Sequence, residues 1–600
     1  MTLLARPVVT AAGLRARGLR LPSTLSGVLA LTAVTLTTAL LVTLGVTRTS
    51  PVFFGDEIGY LANTIAIGGG PALRIDADSY YPGWSLVLVP LWWILRDPLA
   101  LYRGAVILSA LSSLATIPVL AALGRRLGLR TAHAVLAASV VVALPAHALM
   151  AGFALAESFL VLVVASAVLL AVIAARAETV RWYLAAGAAS GFAFVVHGRV
   201  AGIVVAAVAW AILLLLQRRF RAGSALLASA LIISALGYAL YRHLEVVVYR
   251  STGREADGVA KLFGSAPAAT ALGTSGQVWY LVVATAGLAI PGVVFVILRA
   301  ASEIRSRRPG WALWFGVWAL GLAAISITYV SRSVAQRDRL DLFVYGRYLE
   351  PATDLLAFFG MVLLVRLAPR ALGAGRSAAP VRLRRRFVRL GIATVGAFAV
   401  VTAGFGLLAH AVVPTADETT SGWNPMNVLG IVQYGWQLGA DDAALPLVQA
   451  ALIGGGVLLA VLALGLLVRH RAVMLALALV FALGSSLVAQ TRTVAPAYGG
   501  YASAFTLTHA VDRFGSASVS FVTAPDPLAP NRSSVISRNA YEFFLAPRVV
   551  PVVSGTAALP TTDLAIARKS WPAGVEAGWR RITWDPGYDN ALWSRPGLDP

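Results

Sequence analysis

Long apolar runs, separated by short loops rich in arginine, constrain this chain more than any other feature. They fall at about 24–46, 104–123, 131–149, 158–175, 182–197, 200–217, 224–241, 276–298, 311–330, 348–366, 388–412, 447–468 and 473–490. At 1.5 Å per residue, a run of ~20 residues crosses a hydrocarbon layer of ~30 Å. The fold class that follows is a polytopic α-helical membrane protein with about 13 transmembrane helices. Composition agrees: 13% of residues are charged, against about a quarter in an ordinary soluble domain.

The net charge of +22 would suggest a nucleic-acid partner in a soluble chain. In a membrane chain basic residues collect in cytoplasmic loops instead. Threading the runs alternately puts Arg125, Arg126, Arg130, Arg176, Arg181, Arg218, Arg219, Arg221, Arg299, Arg305, Arg307, Arg308, Arg382–Arg389, Arg469 and Arg471 on one side. The same threading puts Asp56, Glu57, Glu157, Glu255, Asp257, Asp338, Asp341, Asp417, Glu418, Asp441 and Asp442 on the other. Only Glu178 and Glu303 lie among the basic loops. Residues 1–23, with Arg6, Arg15, Arg17 and Arg20, then form a cytoplasmic segment before an uncleaved anchor. The expected location is a cell (plasma or inner) membrane, crossed many times. Cysteine is absent, which excludes disulfides and cysteine-based metal centres.

The transmembrane region is expected over 24–490. An odd number of spans leaves 491–600 outside, where the sequence turns globular. Ala517–Thr523, Arg548–Val553 and Arg581–Trp584 have strand character and Ser534–Leu545 that of a helix, giving a small extracytoplasmic α/β domain. The first outer loop, 48–103, holds Asp56, Glu57 and the aromatic cluster Tyr80-Tyr81-Pro82-Gly83-Trp84. Its apolar run Ser85–Leu95 is half a span, suiting a re-entrant or interfacial helix.

Several outer residues carry chemical potential, each beside a structural alternative. Asp56-Glu57 precedes an amphipathic stretch, where acids also serve as helix N-caps and dipole partners. Glu157 opens a span on the same side and has the same two readings. His197-Gly198-Arg199 interrupts an apolar stretch too long for one span, which predicts a tight outer turn, since an arginine deep in lipid is costly. Arg199 and Arg103 would face headgroups or a bound anion. Tyr345-Gly346-Arg347-Tyr348 sets an arginine between tyrosines where the chain re-enters the membrane. That pattern fits an interfacial aromatic belt or a phosphate site, to which a guanidinium fork is suited.

In order and spacing these pieces resemble the C-type glycosyltransferase superfamily, the polyprenyl-phosphate-sugar enzymes that include protein O-mannosyltransferases and lipid A aminoarabinose transferases. The resembling segments are Gly55-Asp56-Glu57 with Tyr60, Tyr81-Pro82-Gly83-Trp84, Leu101-Tyr102-Arg103-Gly104, Ala156-Glu157-Ser158, Gly191-Phe192-Ala193-Phe194 leading to His197-Gly198-Arg199, and Tyr345-Gly346-Arg347-Tyr348-Leu349-Glu350-Pro351. Coverage is about residues 24–367. The resemblance implies catalytic roles for Asp56, Glu57 and Glu157. It implies a donor-phosphate site at Arg347 and Tyr348, joined by Arg199, Arg103 and His197, with Tyr60, Tyr81, Trp84 and Tyr345 lining the substrate.

The implied reaction is inverting transfer of a sugar from a polyprenyl-phosphate donor to a hydroxyl on a lipid, glycan or protein acceptor, with Asp56 as general base. Asp56, Glu57 and Glu157 could together hold a divalent cation through oxygen, though no ligand spacing demands one. A transporter or flippase of a lipid-linked sugar is the alternative from another class; its usual mark, an internal repeat, is not evident. An assembly scaffold is a third.

Overall fold

The computed structural model describes residues 25–598 apart from 49, 53–54, 251–266, 337–339, 369–377, 413–424, 436–444, 469, 499–506, 524–531, 555–558 and 586–588. The N-terminal arginines, Arg469 and the acids Glu255, Asp257, Asp338, Asp417, Glu418, Asp441 and Asp442 lie outside the described residues.

The chain is a multi-pass helical protein, and helices occupy all the apolar runs. They are of unequal kind. Among the described residues nine helices are long and apolar enough to cross a membrane, or ten if one bent pair forms a single span. The expected thirteen is not reached on that criterion, for three reasons. Thr131–Ala143 has 13 residues and Val180–Val196 has 17; the first stops where Pro145 forces Leu144 into an extended conformation. Glu350–Leu367 carries two acids and an arginine, and nearly all its residues are buried. A helix enclosed by protein can hold such groups where a lipid-facing one cannot. The run at 276–298 is two helices, Pro267–Ala284 and Ala289–Arg305, bent by 106°. Ala286 and Gly287 between them take positive φ, which ends the first helix.

Large apolar side chains such as Leu216, Leu320 and Leu407 are mostly exposed along the bundle flanks, as lipid contact requires. At one end the basic loops touch one another. Arg366 Nη1 donates to the Leu127 carbonyl at 3.1 Å, Gln217 Nε2 to the Arg307 carbonyl at 2.6 Å, and Arg219 pairs with Glu178 at 3.4 Å.

The short helices Asp56–Ile67 and Gly83–Leu95 pack on each other. After the bundle comes a five-stranded sheet: β1 Val519–Thr523, β2 Val552–Ser554, β3 Leu564–Arg568, β4 Arg580–Trp584 and β5 Asn590–Ser594, in the order β2-β1-β3-β5-β4. β1 runs parallel to β2 and β3, and β5 antiparallel to β3 and β4. Helix Arg532–Phe544 docks on the segment between the two short helices. Asn539 accepts from the Asp76 N–H and donates to its carbonyl, both at 2.8 Å. Arg538 pairs with the Asp76 carboxylate, and Arg250 with Glu542 at 2.8 Å.

Candidate active site

Asp56 and Glu157 are each the first residue of a helix, one place after the N-cap positions Gly55 and Ala156, which supply no side-chain cap. Both carboxylates turn to Arg347. Its Nη2 lies 2.8 Å from Asp56 Oδ2 and 2.8 Å from Glu157 Oε1, and its Nε donates to the same Glu157 oxygen at 2.9 Å. Arg199 Nη1 reaches that oxygen at 3.5 Å. Two carboxylates and two guanidiniums from four distant segments thus form one cluster. The Glu157 and Arg199 side chains are buried, while that of Asp56 is 29% exposed. Asp56 is the group of this cluster most open to an incoming molecule.

Local folding aims each member. The Tyr80 hydroxyl donates to Asp56 Oδ1 at 2.6 Å, and its ring lies between Tyr60 and Tyr249, with centroids 4.9 and 6.3 Å away. Gly59 permits this, because a Cβ there would strike the Tyr80 ring. Arg199 sits in the short turn Gly198–Val200, which follows an extended His197 whose Nδ1 accepts the Arg199 N–H at 3.3 Å. A Cβ on Gly198 would meet the Tyr81 ring at 2.5 Å, so the turn and that ring fit only with glycine. The predicted turn is therefore present, and it carries Arg199 to Glu157 and to the Tyr348 ring, 5.5 Å from its guanidinium carbon.

Arg347 is held through its backbone as well. The N–H groups of Gly346 and Arg347 both donate to the Asn427 carbonyl, at 3.0 and 3.1 Å, and Asn427 Nδ2 donates to Asp341 at 2.7 Å. Tyr345 and Tyr348 pack beside it, edge to face, at 5.0 Å. Burial works against the Arg347 charge, but Glu157 and then Asp56 outweigh it, so the guanidinium is held well above its ordinary value. Burial, reinforced by Glu157, likewise keeps the Tyr60 phenol neutral, well above its ordinary value.

Other expected site residues are placed elsewhere. Glu57 is wholly buried and turned away from Asp56; its oxygens accept the backbone N–H groups of Val52 and Ala154, each at 2.8 Å. It ties the first outer loop to the segment before Glu157. Arg103 is exposed on helix Pro98–Arg126, away from the cluster. Trp84 is fully buried and donates to the Ala154 carbonyl at 3.2 Å, so it braces the loop. Tyr81 stacks on Tyr241 at 4.4 Å, and His197 shapes the Arg199 turn. Because Glu57 diverges, Asp56, Glu57 and Glu157 do not form a joint cation site. Among the described residues no group of three or more His, Asp or Glu is placed to hold a metal ion.

Tyr80 and Asn427 are contributors that the sequence reading does not single out for the site. The same holds for the buried pairs His147–Asp354, at 2.8 Å, and Tyr280–Glu350. Their only sequence signal is an ionisable group inside or at the end of an apolar run.

Residues 100–249 match the model of the family described as dolichyl-phosphate-mannose-protein mannosyltransferase. The C-type resemblance is borne out. The matched stretch includes Glu157 and Arg199 and leaves Asp56 and Arg347 outside. Among solved structures the chain is similar to ArnT from Cupriavidus metallidurans bound to undecaprenyl phosphate, at 15% identity over 96% of this chain and 100% of that one, TM-score 0.49. The apo form gives 16% identity over 94% and 98%, TM-score 0.47. An oligosaccharyltransferase from Archaeoglobus fulgidus gives 14% over 67% and 52%, TM-score 0.31. A comparison with curated proteins finds no match.

Proposed function

We propose that this protein is an integral-membrane glycosyltransferase. It would move a sugar from a polyprenyl-phosphate donor to a hydroxyl acceptor at the outer face of the cell membrane, with inversion. The observation that carries the reading is the convergence of Asp56, Glu157, Arg199 and Arg347 in a helical membrane protein with a mannosyltransferase-like segment.

Asp56 accepts the proton of the acceptor hydroxyl as its oxygen attacks the anomeric carbon. The bond from that carbon to the phosphate oxygen breaks, through a transition state with oxocarbenium character. The leaving group is a lipid phosphate, already a weak base, so no protonated acid is needed. Arg347, with Arg199 behind it, stabilises the departing anion. In the present arrangement Arg347 is neutralised by Asp56 and Glu157. A donor phosphate competing for Arg347 would loosen the Asp56 contact and leave that carboxylate free to act as base. Glu157 holds the two guanidiniums in place.

The test is to incubate purified protein in lipid with undecaprenyl-phosphate sugars and a hydroxyl acceptor. The reading predicts sugar transfer with release of undecaprenyl phosphate, lost on Asp56→Asn. Movement of a labelled lipid-sugar across the bilayer without bond cleavage would favour a flippase instead.

A further inference from the structure

His147, Glu157, Ser158, Arg199, Glu350 and Asp354 line one small cavity beside the Asp56–Arg347 pair, and none is more than 6% exposed. Each charged group is tethered on one side only. Asp354 Oδ2 meets His147 Nδ1 at 2.8 Å. Glu350 Oε1 accepts from the Tyr280 hydroxyl, which itself accepts the Gly430 N–H at 2.9 Å. Glu157 Oε1 takes both arginines. The opposite atoms are bare: Asp354 Oδ1, Glu350 Oε2, Glu157 Oε2, His147 Nε2, Ser158 Oγ, and Arg199 Nε and Nη2 have no hydrogen-bond partner among the described residues. An unmet buried polar atom costs roughly 1–3 kcal/mol, and the space between these atoms, about 10 Å³, is enough for one water or for one hydroxyl in its place.

The chemistry of the lining selects the ligand class. A phosphate offers only acceptors and would face three carboxylates. A cation would face Arg199. A water or a hydroxyl donates and accepts at once; a single hydroxyl can donate to a carboxylate while accepting from Arg199. We propose that this cavity receives one hydroxyl group of the sugar carried by the donor in place of a water, with Glu350, Asp354, His147 and Ser158 setting which sugar is accepted. The proposal rests on the transferase reading and deepens it, since Glu157 joins the cavity to Arg347.

The test uses full-length protein in nanodiscs, without acceptor. Binding is measured for undecaprenyl phosphate and for its mannosyl, glucosyl, galactosyl and arabinosyl esters. At least one ester is expected to bind wild type about tenfold more tightly than the bare lipid phosphate. In Asp354→Asn, Glu350→Gln and Ser158→Ala that ratio falls to within about twofold, while bare-lipid binding is unchanged. Ser158→Ala is included because it removes one hydroxyl and leaves the charged pairs intact. Deoxy analogues of the preferred ester should weaken binding to wild type and not to the variant facing the missing hydroxyl, a readout that a purely structural role would not move. The proposal is overturned if no ester outbinds the bare lipid phosphate, or if all three variants keep the wild-type ratio. Failure of the bare lipid phosphate to bind would instead overturn the transferase reading itself.

Discussion

Asp56 and Glu57 are neighbours in opposite surroundings, and replacing each by its amide should separate the proposed catalytic role of the first from the structural role of the second. Glu57 is wholly buried and each of its oxygens holds one backbone N–H at 2.8 Å. Glutamine offers one acceptor oxygen and one NH2, so one N–H, from Val52 or Ala154, is left facing a donor. A lost hydrogen bond to a charged group is worth ~1.5–3 kcal/mol, and an unmet buried donor costs ~1–3 kcal/mol. These overlap, so Glu57→Gln should destabilise by about 2–4 kcal/mol. Asp56→Asn differs. Its carboxylate is 29% exposed, and Arg347 keeps both contacts to Glu157, so the cost should be ~1 kcal/mol or less. Loss of a general base should lower turnover ~100- to 10,000-fold. With 15 tryptophans in the chain, melting can be followed by intrinsic fluorescence and set against turnover per folded molecule. Asp56→Asn should melt near wild type and be inactive; Glu57→Gln should melt early and, below its transition, still turn over. The reverse pattern would refute this division of labour.

Further outcomes follow from the same geometry. Tyr80→Phe removes the hydroxyl that donates to Asp56 and should lower turnover about tenfold with little change in melting. Arg347→Lys keeps the charge without the fork, so one ammonium must replace contacts made from two guanidinium nitrogens; donor KM should rise more than acceptor KM. Asn539→Ala breaks the paired hydrogen bonds to Asp76; limited proteolysis should cut the region joining the sheet domain to the bundle faster than in wild type.

Much of this cluster was legible because ionisable groups stand out against apolar sequence, and the alternation of charge pointed Asp56, Glu157, Arg199 and Arg347 to one side. The aim of each side chain was not legible. Asp56 and Glu157 do begin helices, so a capping role and a site role look the same in sequence. Glu57 misleads for a geometric reason: successive residues on a helix diverge by about 100°, so two adjacent carboxylates cannot serve one narrow pocket. Arg103 falls on an outward face, and nothing in Leu101-Tyr102-Arg103-Gly104 marks that face. The bend at Gly287 lies within an unbroken apolar run. β3 spends two of its five positions on alanine, which has weak strand preference, and β5 has no β-branched residue, whereas the β-branched Val519–Thr523 was readable. His147 and Asp354 are hidden inside stretches otherwise suited to lipid, and only packing brings them together.

The proposed catalysis requires Arg347 to exchange an internal carboxylate for the donor's phosphate, and a structure of the protein in lipid with undecaprenyl phosphate bound tests this directly. The phosphate is predicted within hydrogen-bond distance of the Arg347 guanidinium, with Asp56 released from its 2.8 Å contact and still reached by Tyr80. A phosphate bound elsewhere, with the Asp56–Arg347 pair intact, would contradict it.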